Sequence, residues 1–245
     1  MACAVRDGLP FGHGHHATDV LAGRADRHVY MAYVGIGWSL ARLPRFRWRV
    51  ATASASDPLL RWLLLDGYGF HQAFFHTEKY VWQRFQDPAF GWPPEGPSWY
   101  ANRVIDQGIG RALWFVTGAD PDLLATTIER FGESRQSDLY SGAGLAATYA
   151  GGLDETELEN FHKHAGPYRP AVAQGSAFAA EARLQAGLVV PHTELATRVL
   201  CGTAVEEASE ITYRARPNPV VDGEVPGYEV WRRAVAAEFA ERGWC

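Results

Sequence analysis

A few polar side chains able to carry proton or anion chemistry interrupt stretches of this chain that are otherwise apolar or built from small residues. His71 sits in Asp66-Gly67-Tyr68-Gly69-Phe70-His71-Gln72-Ala73, and His76 follows five residues later. Asp106 and Gln107 precede a second Gly-x-Gly, and Arg111 and Trp114 come after it. Gln174 and His192-x-Glu194 are similar intrusions further on. Histidine titrates near neutrality, so His71 with Asp106 would make a general acid–base couple if the fold brought them together. The plainer role for each polar residue is a satisfied buried hydrogen bond or a helix cap. The candidate binding set is therefore His71, His76, Asp106, Gln107, Arg111, Trp114, Gln174 and His192, with no residue assigned as catalytic. A nucleophile elbow, a phosphate loop, an HExxH zinc signature and a paired ExxH di-iron signature are all missing from the sequence. His13, His15 and His16 cluster near the start without an acidic or cysteine companion, and neither a metal nor a cofactor is expected. Arg45-Phe46-Arg47-Trp48-Arg49 is a basic aromatic patch, read as a solvated turn in preference to an anion site.

The elements that must position these residues are set by glycine. Gly-x-Gly recurs at 12/14, 35/37, 67/69, 108/110 and 142/144, with a softened copy at Gly175-Ser176-Ala177. The first glycines are 23, 32, 41, 34 and 33 residues apart, a period that points to stacked supersecondary units. Most copies continue with helix-forming residues. A glycine inside a helix costs roughly 1 kcal/mol against alanine, so two per helix require a compensating close approach. Small residues stand four positions after most of these repeat residues, with His16, His71, Trp114 and Glu181 as exceptions, and positions i and i+4 share a face. Most such helices thus have two smooth faces and fit between neighbours, as in an α-solenoid. The competing reading is a dinucleotide fingerprint at Gly35-Ile36-Gly37, with Asp57 about 20 residues on. A motif repeated this often, mostly without an apolar strand before it, reads better as architecture.

Taken in order, the chain predicts a helix from Val29 towards Pro44 and another capped by Asp57-Pro58 that runs to Phe75. An irregular Pro/Trp-rich insertion follows over 85–99, either a lid or a structured connection. Paired long and short helices come next: Tyr100–Val116 with a helix capped at Asp120, Asp138–Tyr149 with one opened by the Asp154/Glu157 capping box, and Tyr168–Gln185 with Pro191–Leu200. Thr203-x-x-Glu206 caps one more helix. Residues 216–227 are extended, and Tyr228–Arg242, with Trp231, Val235 and Phe239 on one face, closes the chain as a C-terminal cap.

Composition narrows the function classes. At 47% hydrophobic and 21% charged residues, the 245-residue chain can bury a large core. A net charge of −5 without a Lys/Arg run argues against nucleic acid as partner. No apolar stretch approaches a membrane span, the start lacks the pattern of a secretory signal, and three scattered cysteines make no disulfide framework. A cytoplasmic location is the resulting expectation.

The strings HVYMAYVGIGWSLARLPR, DPLLRWLLLDGYGFHQAFFH, DQGIGRALWFV, DLYSGAGLAATYAGG and AQGSAFAAEAR resemble the UnbL-type family of unknown function encoded in actinobacterial enediyne polyketide clusters. The resemblance spans about residues 28–233, and typical members are longer at the N-terminus. It implies a role in making or maturing the enediyne core and supplies no catalytic residues. The sequence thus leads to an all-α fold, an α-solenoid of helical hairpins with a tetratricopeptide-like period of about 33 residues, forming a single domain over 1–245. The expected function is to hold a polyene or enediyne-core intermediate, or a partner biosynthetic enzyme, in a concave groove, with homo-oligomerisation as a further possibility. The alternative is a cyclase- or isomerase-like enzyme using His/Asp acid–base chemistry.

Overall fold

Where two helices carry glycine at their crossing, nothing but backbone separates them, and this contact organises the molecule. The computed structural model describes residues 23, 26–53, 55–94, 96–220 and 222–244. The first Gly-x-Gly copy and its three histidines lie outside the described residues. Among those described there is helix and no strand. The helices are α1 (Val29–Leu40), α2 (Trp48–Ala51), α3 (Leu63–Phe75), α4 (Ser98–Val116), α5 (Pro121–Glu129), α6 (Glu133–Ala150), α7 (Glu155–Ala165), α8 (Arg169–Ala186), α9 (Pro191–Cys201), α10 (Val205–Arg214) and α11 (Gly227–Glu241).

Helices α1, α3, α4, α6 and α8 carry the glycine pairs and stand side by side in that order. A Cβ added at Gly37 would strike the Leu64 carbonyl oxygen and lie 3.0 Å from the Gly67 Cα, while one at Gly67 would strike the Val34 carbonyl. The pattern then repeats down the row. Gly69 abuts the Ile105 carbonyl and Gly108 that of Asp66. Gly110 abuts the Leu139 carbonyl and Gly142 that of Gln107. Gly144 abuts Val172, and Gly175 abuts Ser141. The first glycine of a pair faces the preceding helix and the second faces the next, as two smooth faces require. Arg103 meets Asp138 near the start of α4 and α6, and Trp114 meets Gly151 near their ends, so the two run the same way.

Shorter helices return the chain between row members. Asp120 caps α5 by accepting from the Asp122 and Leu123 amides, and Asp154 and Glu157 form the expected capping box on α7. Helices α5, α7, α9 and α10 pack in sequence as a second layer. One continuous cluster of buried apolar side chains runs through both layers.

Several boundaries differ from the sequence reading. Asp57 caps a 3-10 turn at Leu60–Trp62, through the Leu59 and Leu60 amides, before α3 begins at Leu63. Helix α6 starts at Glu133, because Asp138 is a buried mid-helix ion-pair partner and not a cap. Thr203 bonds the Glu207 side chain and caps nothing. Residues 78–82 form a π-helical turn.

The row also curves. Tyr30 at the start of α1 donates to Glu181 on α8 at 2.5 Å, so its first and last members meet. Side chains from all five row helices line one interior space, together with Tyr228 and Trp231 of α11. Helix α11 packs on α8 and α10, and it also reaches inward: Tyr228 and Arg232 bond groups on α4, α6 and α8. The inner side of the row is thereby filled, leaving a cavity of about 40 Å³, room for one or two waters and not for a polyene.

Candidate functional site

The eight candidate residues fall into separate places. Gln107, Arg111 and Gln174 belong to a buried polar network where α11 crosses the row. Arg111 pairs with the fully buried Asp66, while the Gln107 amide donates to Asp66 at 2.9 Å and to the Tyr228 hydroxyl at 3.1 Å. One step away, Arg103 and Arg232 converge on Asp138 at 2.9 and 2.8 Å, and Arg103 also reaches Glu229 at 2.5 Å. Burial pushes the Glu229 pKa up, but Arg232 and Arg103 outweigh it and hold its carboxyl below the usual range. Gln174 accepts from Ser141 at 2.7 Å and from Arg232 at 3.4 Å. Nearly every polar group here has a partner and the adjoining cavity is small, so the network ties α11 to the row and leaves no room for substrate.

Trp114 and His192 lie under the second layer. The Trp114 indole donates to the Gly151 carbonyl at 3.0 Å and its ring packs edge-on against Phe161. His192 sits 3.2 Å from the Tyr149 carbonyl, against Gly151.

Asp106 faces a third place, a polar recess of about 160 Å³ shared with Lys79, Tyr80, Gln86 and Asp87. Its carboxylate takes a two-pronged bond from Arg135 at 2.5 and 2.9 Å. Burial nevertheless raises its pKa to about 6, against the lowering effect of Arg135. Asp106 and His71 share no partner: the charges that act on His71 are His76 and Arg42. The acid–base couple expected between them is not assembled.

His71 and His76 remain, and their surroundings were not foreseen. At the C-terminal ends of α1, α3 and α4 the rings of Trp38, Phe70, Phe74, Phe75 and Phe115 touch one another at centroid distances between 5.2 and 6.3 Å. Phe74, Phe75 and Phe115 are 42, 56 and 45% exposed, an open apolar surface that a solitary folded chain has no reason to keep. His71 forms part of its floor, with Trp38 edge-on at 5.4 Å and Phe75 at 4.7 Å. The His71 Nδ1 is buried without a hydrogen-bond partner, and burial, then His76 and Arg42, hold its pKa below the ordinary value. His71 is thus neutral near pH 7, while His76 is exposed at the rim. The sequence signal for this surface was available: Phe70 and Phe74 stand one turn apart, and Phe115 follows Trp114 at a helix end that leaves no core to receive it.

Among the described residues no group of three His, Cys, Asp or Glu side chains could hold a metal ion. A family model described as a protein of unknown function, DUF1702, matches residues 1–239. The chain belongs to the DUF1702 family. No curated protein and no solved structure matches this DUF1702 member. Among its described residues no helix is long and apolar enough to cross a membrane. What its geometry offers is an exposed aromatic surface with the His71 imidazole beneath it.

Proposed function

We propose that this DUF1702 protein is an accessory protein of enediyne biosynthesis that binds a conjugated polyene intermediate. The sequence resemblance set out above supplies the pathway, and the exposed ring cluster of Trp38, Phe70, Phe74, Phe75 and Phe115 is the observation that carries the binding. The glycine-paired row and its returning helices support the finer architecture, an array of helical hairpins with a tetratricopeptide-like period. The binding surface is placed at the helix ends, since the inner side of the row is filled by Tyr228 and Trp231. Ring-on-polyene contact needs no polar precision, which suits a partner that holds a reactive chain between steps.

The test uses a linear conjugated tetraene fatty acid as a fluorescent probe and Phe75→Asp as the variant. The wild type should bind it saturably, and the variant, altered at an exposed position, should lose at least about tenfold in affinity, near 1.4 kcal/mol. Equal binding by both proteins would refute the placement. Co-producing the polyketide synthase with and without the protein tests the pathway, and unchanged products would refute it.

A second reading, a cyclase- or isomerase-like enzyme, is favoured by one observation, the unpartnered Nδ1 of His71 within the ring cluster. It requires His71→Ala to alter products while leaving tetraene binding intact.

A further inference from the structure

A large cleft lies away from both the ring cluster and the polar network. It has a volume of about 610 Å³, within the range of small-molecule sites. One wall comes from the basic aromatic segment, Arg45, Trp48 and Arg49; the others come from Arg61 and from Trp92 of the Pro/Trp-rich insertion. The insertion is docked. Phe90 and Pro93 are buried, and Trp92 packs against Trp48 with centroids 6.2 Å apart. A shaped recess therefore adjoins the exposed basic aromatic segment.

Its charge is incompletely balanced. Arg45 reaches Asp87 through one nitrogen at 3.2 Å, and Arg61 reaches Asp222 through one nitrogen at 2.7 Å. Arg49 has no side-chain hydrogen bond or ion pair among the described residues, and it lines the cleft. The Nε of Arg61 is buried with no partner, a donor withdrawn from water and left unsatisfied. Among the described residues, three guanidinium groups stand here against two carboxylates, and one of the three has a buried N–H without a partner. Arginine's planar fork matches a phosphate bidentately, and its planar neighbours here are two indoles.

We propose that this cleft is a binding site for a phosphate monoester carried on a planar ring, with Arg49 and Arg61 gripping the phosphate and the ring lying against Trp92, which Trp48 supports from the core. This site does not depend on the polyene reading: the two share no residue. Arg49 is the tunable member, because it is exposed and holds no hydrogen bond or ion pair among the described residues, whereas Arg61 anchors Asp222.

Phenyl phosphate is the probe, followed by tryptophan fluorescence of the full chain and checked by phosphorus NMR. Saturable binding is expected, about tenfold or more tighter than inorganic phosphate and weakened by added salt. Arg49→Ala should lower the affinity about tenfold with an unchanged circular dichroism spectrum, and Arg49→Lys should fall between, since it keeps the charge and loses the fork. Trp92→Leu should reduce the preference for phenyl phosphate over inorganic phosphate. Equal binding of the two phosphates would overturn the proposal, and so would an Arg49→Ala protein that binds phenyl phosphate as the wild type does.

Discussion

Asp106 shows how far burial can displace a single carboxyl from its ordinary behaviour. Its pKa moves from 3.8 in an ordinary setting to about 6 because burial penalises the charge more than Arg135 relieves it. The sign follows from proton counting. Between about pH 4 and pH 6 the folded protein retains a proton that the unfolded chain has released, so stability falls as pH rises through that window. Two pKa units correspond to about 3 kcal/mol, and half of that would still be measurable. Asp106→Asn should therefore flatten this part of the profile when urea unfolding is followed from pH 4 to 7. Glu229, held low by its arginines, acts in the opposite sense, losing its contribution as pH falls below the ordinary glutamate value. It is present in both proteins, so their difference isolates Asp106. A wild type and a variant with parallel profiles would contradict the assignment. The sequence displayed Asp106, Arg135 and His71 equally. It could not show that Asp106 faces Arg135 on α6 while His71 faces Trp38 on α1, because their orientation about α4 and α3 is decided by which neighbour each face meets.

At the scale of elements, glycine carries the information most directly. The pairs predicted two smooth faces per helix, and the contacts of Gly69 with α4 and Gly108 with α3 are that prediction realised. Gly142→Ala is the sharp test. Its methyl would collide with the Gln107 carbonyl and lie 2.8 Å from the Arg111 amide nitrogen, both backbone atoms that have no rotamer to retreat into. The helix-propensity gain of about 1 kcal/mol should be overwhelmed, for a net loss of about 2–3 kcal/mol or more in urea unfolding. Gly223→Ala, where an added Cβ meets nothing within 4 Å and no helix is capped, should stay within about 0.5 kcal/mol of wild type. Comparable losses at both positions would mean the close approach is not what glycine is for. Helix starts were less legible. Asp138 has the composition of an N-cap but serves as a buried acceptor for Arg103 and Arg232, so tertiary pairing overrides local preference. Thr203 shows the same override on the surface, where it bonds Glu207.

Across the whole molecule, the curvature of the row was invisible in the sequence. Spacing fixes which helices touch; it says nothing of the angle between them, and a small angle repeated along five helices brings α1 round to α8. An open trough was the natural reading, and the structure shows the inner side occupied by α11. The Tyr30–Glu181 bond marks the closure. Burial raises the Glu181 pKa, and Tyr30 is one of the donors that work against this, so Tyr30→Phe should raise it further. The same change should cost about 1–2 kcal/mol and speed amide exchange at the start of α1 ahead of α4 and α6. Exchange that accelerates evenly over all the row helices would show that the circuit is not held at that point.

Backbone-on-backbone crossings also have a mechanical consequence. Side-chain interfaces absorb strain by changing rotamers, whereas the glycine crossings between α1 and α8 offer no such slack. A push on α3, beneath the exposed rings, cannot be dissipated locally and is handed through α4 and α6 towards the opposite end. The row should respond as a stiff leaf spring, and any ligand that spreads the rings apart would be felt where Tyr30 holds Glu181.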